Sequence, residues 1–391
     1  MNRPDQGGEH LLMDSWKEHA GRLAVTVASP GSRWRDVVAC TPRHLFVPRW
    51  WASRGHEWEL REGDSDCSKW LAAAYRNWTL VTRVGDVHAD HARPGALLEG
   101  APTSSSTLPG LLVQMFRHAS IATRSTVLDV GTGSGYGTAL LCARQGHARI
   151  TAIDVDPYLT SAAEKRLDML GYRPTLLTAD VTAGELPGQW DRIIATVAVK
   201  PIPPALLAAL RTGGRLVTTI TGTSMIITAD KQEDGGAVGR VEWDRAGFMR
   251  ARSGNDYPVR NRGFLERACT EEGEQVDSSH YPVMEVAEAW DVGTMLEILA
   301  PGIEHRLITY DDKPDKVALM AHEDGSWARA EERDGKVTVH QGGPRRLYGL
   351  LDQVRGHWLT YGELPIRGAQ ATISPQGVIT LRRGRWTATI R

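Results

Sequence analysis

A buried strand that runs directly into a glycine-rich turn and a helix start constrains the fold of this chain more than any other feature. The segment is Ser125-Thr-Val-Leu-Asp-Val-Gly-Thr-Gly-Ser-Gly-Tyr-Gly137. Its apolar half is typical of a parallel strand, and its alternate glycines, Gly131, Gly133 and Gly135, let the backbone turn sharply and approach a ligand. Free amide groups at the helix start would meet a carboxylate or phosphate. The segment therefore predicts a site for a nucleotide-type cofactor.

The glycine spacing and an acidic residue, Asp129, favour S-adenosylmethionine over a dinucleotide as this cofactor. Asp154 ends a second apolar strand and is placed to accept hydrogen bonds from two ribose hydroxyls, which both kinds of cofactor carry. The glycine spacing, however, lacks the GxGxxG pattern of dinucleotide-binding folds. Asp129, inside the first strand, would repel a phosphate but could meet an ammonium group directly or through water. The predicted cofactor-binding residues are Asp129, Gly131, Thr132, Gly133, Gly135, Asp154, Val155, Asp180, Val181 and Thr196, with Asp180 holding the adenine.

Strands and helices alternate around this turn. The pattern predicts strands at 126–130, 149–154, 175–179, 191–196 and 214–220, and helices at 135–145, 157–170 and 203–211. Such alternation predicts an α/β fold, a doubly wound Rossmann-like parallel sheet wrapped by helices. Residues 223–244 read as a closing antiparallel hairpin that turns at 233–236.

The flanking regions predict a chain of three parts. Residues 1–105 form an N-terminal helical and aromatic-rich region, 106–253 the S-adenosylmethionine-binding domain, and 258–391 a C-terminal α+β accessory domain, a candidate for binding a peptide substrate. Seven of the 13 tryptophans lie in the N-terminal region. Most of them are expected in a small core. Trp50 and Trp51 are the better surface candidates, because adjacent side chains on one strand point to opposite faces.

The C-terminal region has its own pattern of elements and charge. It predicts a hairpin at 327–340 turning at Asp334-Gly335, a helix opened by Pro344, and another small sheet from 371–381 and 386–390. Eight arginines and only two acidic residues follow Pro344. The hypothesis is that Arg382, Arg383 and Arg385 dock acidic residues of a peptide, and a merely solvated face is the alternative.

Composition agrees with an enzyme of several parts. At 391 residues the chain can bury substantial cores, and a formal net charge of -1 excludes a globally electrostatic nucleic-acid binder. The four cysteines are far apart and form no CxxC pair, so neither a zinc site nor a disulfide framework is predicted. No export signal or membrane span is seen, so a cytoplasmic location without membrane insertion is expected.

Four segments together resemble the protein-L-isoaspartate O-methyltransferases, in order and with similar spacing over about residues 30 to 253. They are the glycine turn, Ala39-Cys-Thr-Pro-Arg-His-Leu-Phe-Val-Pro48, Trp190-Asp-Arg-Ile-Ile-Ala-Thr196 and Leu210-Arg-Thr-Gly-Gly-Arg-Leu-Val217. The part from Pro42 to Pro48 is the specific one, because glycine turns occur in all methyltransferases. The resemblance implies S-adenosylmethionine as cofactor and a carboxylate as methyl acceptor.

The chain departs from these repair enzymes at the substrate loop, where they carry an Ile-Ser-Ala-Pro-His run. Here the stretch is Pro102-Thr-Ser-Ser-Ser-Thr-Leu-Pro-Gly110, in which Thr107 takes the serine position and Gly110 that of the histidine. With its long C-terminal region, the chain is similar to the homologues found beside ribosomally made, post-translationally modified peptides. That resemblance implies methylation of an aspartate side chain in a precursor peptide, whose ester then collapses to an aspartimide. Isoaspartate repair, a small-molecule natural product as acceptor, and a cofactor-binding scaffold without turnover remain alternatives.

The residues needed for such chemistry are few. A carboxylate with a pKa of about 3.9 is already ionised at neutral pH, so it needs no general base, unlike a phenol or an alcohol. The predicted catalytic residues are Ser104, Ser105, Ser106 and Thr107, whose hydroxyls could hold the acceptor and cofactor carboxylates; a cap of the following helix is the alternative. His88-Ala-Asp-His91 is expected to be a solvated loop, and no metal site is predicted.

Overall fold

The computed structural model describes residues 6–253, 262–310 and 313–391, and these form two compact units. The first unit comprises Met1–Thr218, Thr228–Ala237 and Phe248–Asp256, and the second Thr219–Ile227, Val238–Gly247 and Tyr257–Arg391. The helices are α1 (Gln6–Val27), α2 (Arg35–Cys40), α3 (Cys67–Ala74), α4 (Pro109–His118), α5 (Tyr136–Gln145), α6 (Pro157–Asp168), α7 (Pro204–Ala209), α8 (Arg262–Thr270), α9 (Trp290–Leu299) and α10 (Leu347–Tyr361).

The part of the first unit before residue 107 is built largely on a β-sheet. Its six strands are β1 (Arg49–Arg54), β2 (Glu57–Glu62), β3 (Leu80–Val84), β4 (Val87–His88), β5 (Leu97–Glu99) and β6 (Pro102–Ser106). They run in the order β4-β3-β1-β2-β5, with β6 also paired to β3. The prediction of a helical and aromatic-rich region is therefore incomplete, because these strands are short and most of them, unlike β2, lack a regular apolar alternation.

The prediction of a surface tryptophan pair is wrong. Trp50 is 8% exposed and Trp51 2% exposed, so both faces of β1 are covered at this point. Trp51 packs in a cluster with Leu60 and Val81. Alternation along the strand places the two rings on opposite faces, and in this sheet both faces are buried.

The remainder of the first unit is the predicted Rossmann-like sheet. Its strands are β7 (Val127–Val130), β8 (Ile150–Asp154), β9 (Thr175–Thr178), β10 (Trp190–Val199) and β11 (Leu210–Ile220), in the order β11-β10-β7-β8-β9. β7 pairs in parallel with both β8 and β10, and β8 in parallel with β9. All four residues of β7 are buried, as expected of a strand covered on both faces. The carboxyl ends of these parallel strands meet at one edge, where ligands bind in such folds.

The second unit contains a five-stranded sheet and, apart from it, a second group of paired strands that includes the last three strands of the chain. The remaining strands of the chain are β12 (Met225–Lys231), β13 (Ala237–Arg245), β14 (Gln275–Ser279), β15 (Glu304–Tyr310), β16 (Lys313–Ala321), β17 (Trp327–Arg333), β18 (Lys336–Gly342), β19 (Gln370–Ile373), β20 (Ile379–Arg383) and β21 (Trp386–Ile390). Residues 228–231 of β12 are counted with the first unit. The first sheet has the order β14-β18-β17-β16-β15, and its β17–β18 hairpin is the one predicted at Asp334-Gly335. α10 begins at Leu347, three residues after Pro344.

The last three strands do not form the separate small sheet that the sequence suggested. They continue in the order β13-β19-β20-β21, and the backbone of Val241 exchanges hydrogen bonds with that of Gly368 and Ala369. Arg367 fixes this region, because its buried guanidinium donates to Asp291 at 2.6 Å and to Ser224 at 2.6 Å. Segments around 219–227 and 238–247 therefore belong with the C-terminal residues, and the units divide the chain differently from the predicted boundaries at 105 and 258.

Within the described ranges, no helix is both long and apolar enough to cross a membrane.

Candidate active site

The glycine turn after β7 requires glycine at each of its three alternate positions. Gly131, Gly133 and Gly135 have φ angles of 89°, 52° and 92°, in the left-handed region that other residues rarely adopt. A Cβ atom on Gly131 would lie 2.8 Å from a methyl of Val197, and one on Gly135 would lie 3.1 Å from the Cβ of Ala163. The absence of side chains at these positions therefore lets the turn pack closely against its neighbours.

Asp154 lies at the end of β8, against this turn. Its Oδ2 accepts a hydrogen bond from the Gly133 amide at 2.9 Å, and its Oδ1 accepts one from the Asp156 amide at 3.2 Å. Burial raises the pKa of this carboxyl, while the two amides and the positive charge of Arg252 oppose the shift. The carboxylate is thus held rigidly at the sheet edge, as a residue that binds a ribose diol requires.

Asp129 is the second acidic residue of the site and is almost fully buried in β7. Its Oδ2 accepts a hydrogen bond from the Thr138 hydroxyl at 2.7 Å. Burial, together with the nearby charge of Asp154, raises the pKa of Asp129 to about 6 although the Thr138 hydrogen bond lowers it. A cation placed beside Asp129 would therefore be favoured electrostatically.

The remaining predicted cofactor residues surround the same edge. The Thr196 hydroxyl donates to the carbonyls of Val130 and Gly131 at 3.1 and 3.0 Å and so stabilises the start of the turn. The Ala179 amide donates to the Asp154 carbonyl at 3.0 Å and so brings Asp180 to the site. Asp180 itself accepts from the amide and hydroxyl of Thr182, an interaction that leaves its second oxygen available. Val155 is half-buried and Val181 is buried.

These residues fit S-adenosylmethionine. Within the described chain the buried hydroxyl of Thr132, inside the turn, has no hydrogen-bond partner, as expected of a group that meets a ligand. At Gly133 a Cβ would point into the space beside the Ser105 carbonyl, 3.2 Å away. Asp154 would hold the ribose, and Asp129 would face the ammonium group.

The predicted acceptor segment is β6 and the residue after it. Ser104 is buried and its hydroxyl accepts a hydrogen bond from Thr82 at 3.1 Å, while the buried hydroxyl of Ser106 has no partner among the described residues. Ser105 and Thr107 are partly exposed. The proximity of the Ser105 carbonyl to Gly133 shows that this strand lies directly against the glycine turn.

The alternative role of these hydroxyls as a helix cap does not hold. The N-cap residue of α4 is Leu108, and its apolar side chain cannot accept a hydrogen bond from the first amides of the helix. The first amides are bound from elsewhere: Leu108 donates to Thr79 at 3.2 Å and Gly110 donates to the Asn77 side chain at 2.8 Å. A Cβ on Gly110 would lie 2.9 Å from Asn77, so Asn77 explains why glycine stands at the histidine position.

Arg43 is a site residue whose role the sequence analysis missed. It is fully buried and donates hydrogen bonds to five backbone carbonyls, those of Ala74, Arg76, Trp78, Ser106 and Thr107, at 2.8 to 3.2 Å. Two of them belong to the acceptor segment. Burial lowers the pKa of Arg43 to about 10, partly opposed by Tyr136 and Tyr75, so the guanidinium stays charged at neutral pH. Its position within the motif from Pro42 to Pro48 is the sequence feature that could have identified it.

The prediction of a solvated loop at 88–91 is wrong. His88 is 8% exposed and its Nε2 lies 3.1 Å from Asp156 Oδ2. Asp90 accepts hydrogen bonds from Tyr158 at 2.7 Å and Arg166 at 2.6 Å. Among the residues that the structure describes, no group of three or more His, Cys, Asp or Glu side chains could hold a metal ion.

The sheet, the turn and the two carboxylates define an S-adenosylmethionine-dependent methyltransferase. The family model described as protein-L-isoaspartate(D-aspartate) O-methyltransferase matches residues 92–246. The protein-L-isoaspartate O-methyltransferase of Koribacter versatilis is 33% identical over 167 residues, 42% of this chain and 72% of the relative. The chain belongs to the protein-L-isoaspartate O-methyltransferase family.

Other relatives match over shorter stretches. The protein-L-isoaspartate O-methyltransferase of Ignicoccus hospitalis is 36% identical over 115 residues, 29% of this chain, and the match spans only 54% of that relative's length. A solved structure titled protein-L-isoaspartate O-methyltransferase aligns with 96% of this chain and 99% of its own, at 16% identity and a TM-score of 0.47.

Proposed function

We propose that this protein transfers a methyl group from S-adenosylmethionine to a carboxylate of a peptide or protein, most directly the carboxylate of an L-isoaspartyl residue. The observation that carries the proposal is the contact between the acceptor strand and the cofactor turn, where a Cβ on Gly133 would lie 3.2 Å from the Ser105 carbonyl. The names of the relatives support the isoaspartyl acceptor.

The chemistry asked of these residues is mainly positioning. The bound cofactor supplies an electrophilic methyl group, and a carboxylate acceptor is already ionised at neutral pH. The chain must therefore hold the acceptor in line with that methyl group and exclude water. Arg43 fixes the acceptor strand through its carbonyls, and the hydroxyls of Ser106 and Thr107 would orient the acceptor carboxylate.

A second candidate is methylation of an aspartate side chain in a ribosomally made precursor peptide, followed by aspartimide formation. The acceptor loop, residues 102–110, differs in sequence from that of the repair enzymes, and this difference favours the second candidate. Asn77 occupies the space in which a side chain at position 110 would lie, so the end of the loop differs from that of the repair enzymes. A following backbone amide attacks a neutral ester far more readily than a negatively charged carboxylate, so the ester suffices for imide formation.

Mass spectrometry distinguishes the two acceptors. We expect isoaspartyl peptides of arbitrary sequence to gain about 14 Da when incubated with the protein and S-adenosylmethionine. Matched peptides with normal aspartate, and matched peptides without it, are the controls. If only a particular aspartyl peptide is methylated, and then loses methanol to end about 18 Da below its starting mass, the precursor function is correct. If neither class of peptide is methylated, the assignment of a carboxylate as the acceptor is wrong.

We further propose that exposed arginines of the second unit dock acidic residues of the substrate. The set is smaller than predicted, because Arg383 forms an ion pair with Glu363 at 2.8 Å and stacks over Trp243. Four more of the eight arginines pair with acidic residues: Arg345, Arg346, Arg355 and Arg367. Arg382 and Arg385 are exposed at the final hairpin and remain the candidates.

Replacing Arg382 and Arg385 together by serine should raise KM for a substrate with an acidic flank by about five- to tenfold, because two exposed charge pairs are lost. The cofactor affinity should not change. Steady-state kinetics at low salt measures the effect, with Arg333→Ser as the control, since Arg333 is an exposed arginine of β17 in the same unit. An equal KM for the double variant and the unaltered chain contradicts the docking role.

We also propose a cytoplasmic location, which the four separate free thiols support.

A further inference from the structure

The carboxylate turn at the end of β8 is held in place by residues from the N-terminal sheet. The turn runs from Asp154 to Asp156, and the Asp156 amide donates to Asp154 Oδ1 at 3.2 Å. Asp156 Oδ1 in turn accepts from the Tyr158 amide at 3.0 Å and caps α6. The orientation of Asp154 therefore depends on where Asp156 is fixed.

Two side chains of the N-terminal sheet contact the other oxygen of Asp156. His88 Nε2, from the end of β4, lies 3.1 Å from Asp156 Oδ2, and Arg83 Nη1, from β3, lies 3.5 Å from it. All three residues are buried: His88 is 8% exposed, Arg83 4% and Asp156 6%. Burial alone would raise the pKa of Asp156, but the His88 hydrogen bond and the charges of His88 and Arg83 outweigh it and bring the pKa to about 2. Asp156 is thus ionised and firmly held.

Neighbouring contacts secure the same junction from the side. The rings of Tyr158, His88 and His91 form a cluster, in which the Tyr158 centroid lies 4.4 Å from that of His88 and 4.2 Å from that of His91. The Tyr158 hydroxyl and Arg166, both on α6, bind Asp90. These contacts join α6 to residues 88–91.

From these contacts we propose that Arg83 and His88 are positioning residues for the cofactor: by fixing Asp156 they hold the Asp154 carboxylate in the orientation that binds the ribose. The inference rests on the proposed cofactor role of Asp154. Both residues precede the segment 92–246 that the family model matches.

The strand that carries Arg83 also pairs with the acceptor strand, since Arg83 lies opposite Ser104 in the β3–β6 register. Arg43, in contrast, binds the acceptor segment, through the carbonyls of Ser106 and Thr107. Variants at Arg83 and His88 should therefore act on cofactor affinity, whereas variants at Arg43 should act on turnover.

Calorimetric titration with S-adenosylhomocysteine tests the proposal without relying on activity. We expect His88→Leu and Arg83→Met each to raise the Kd about tenfold, and to raise KM for S-adenosylmethionine with little change in kcat. His88→Gln keeps an N–H donor and should recover most of the affinity. Arg61→Met is the matched control, because Arg61 is an exposed, paired arginine of the same sheet and should leave the Kd unchanged.

A double-mutant cycle separates positioning from a general loss of stability. Asp156→Asn removes the charge but keeps a side chain that can cap α6, so this variant should fold and show a similar rise in Kd. Adding His88→Leu to Asp156→Asn should then raise Kd little further. Additive effects, or a Kd within twofold of the unaltered chain in His88→Leu and Arg83→Met, overturn the inference. If Asp154→Ala also leaves the Kd unchanged, the cofactor site itself is wrongly placed.

Discussion

Replacing Asp154 with alanine, or Gly133 with valine, is expected to abolish measurable binding of S-adenosylmethionine. Asp154→Ala removes the carboxylate that would accept two ribose hydroxyls and that also binds the Gly133 amide at 2.9 Å. Hydrogen bonds to a charged group contribute about 1.5–3 kcal/mol each, so the loss should exceed about 100-fold in affinity. Gly133→Val fills the space beside the Ser105 carbonyl and strains a backbone with φ of 52°.

Calorimetry measures both variants, and two matched replacements control for general damage. Gly171→Val imposes the same kind of left-handed strain, with φ of 71°, but its Cβ meets open space. Asp168→Ala removes an exposed carboxylate that pairs with Arg173 at the end of α6. Both controls should bind S-adenosylmethionine normally. Unchanged affinity in Asp154→Ala and Gly133→Val would contradict the cofactor assignment.

The parallel sheet could be predicted because its signals are local. The apolar run of β7, the alternate glycines and the acid at the end of β8 stand together in the sequence. The structure shows β7 buried and Asp154 hydrogen-bonded to the glycine turn. The turn at Asp334-Gly335 was readable for the same reason, since these residues tolerate positive φ angles, here 50° and 72°.

The parts that could not be predicted depend on contacts between distant segments. His88 reads as a loop residue until β4 brings it to Asp156, 68 positions later in the chain. Arg43 stands in a recognisable motif, but its partners lie 31 to 64 residues away and are backbone carbonyls, which leave no mark in the sequence. The burial of Trp50 likewise follows from what covers the second face of β1.

The second large effect is expected at Arg43. Arg43→Met removes a buried cation and its hydrogen bonds to five backbone carbonyls, of which that of Arg76 keeps another donor, the Trp78 amide. Since each unsatisfied buried acceptor costs about 1–3 kcal/mol and the region can partly relax, the free energy of unfolding should fall by about 3–5 kcal/mol. Because Ser106 and Thr107 lose their anchor, kcat should fall at least about 100-fold even where the protein remains folded.

Arg43→Lys keeps the experiment informative if the methionine variant does not fold. A lysine ammonium has only three donors and lacks the planar fork, so it cannot reach all five carbonyls. This variant should lose less stability, keep its affinity for S-adenosylhomocysteine, and still show a reduced kcat, because the acceptor strand is less firmly held. Chemical denaturation, calorimetry and single-turnover methylation measure the three quantities, with the exposed Arg54→Lys on β1 as the matched control. A full kcat in Arg43→Lys, despite a measurable loss of stability, would mean that Arg43 supports the fold without positioning the acceptor.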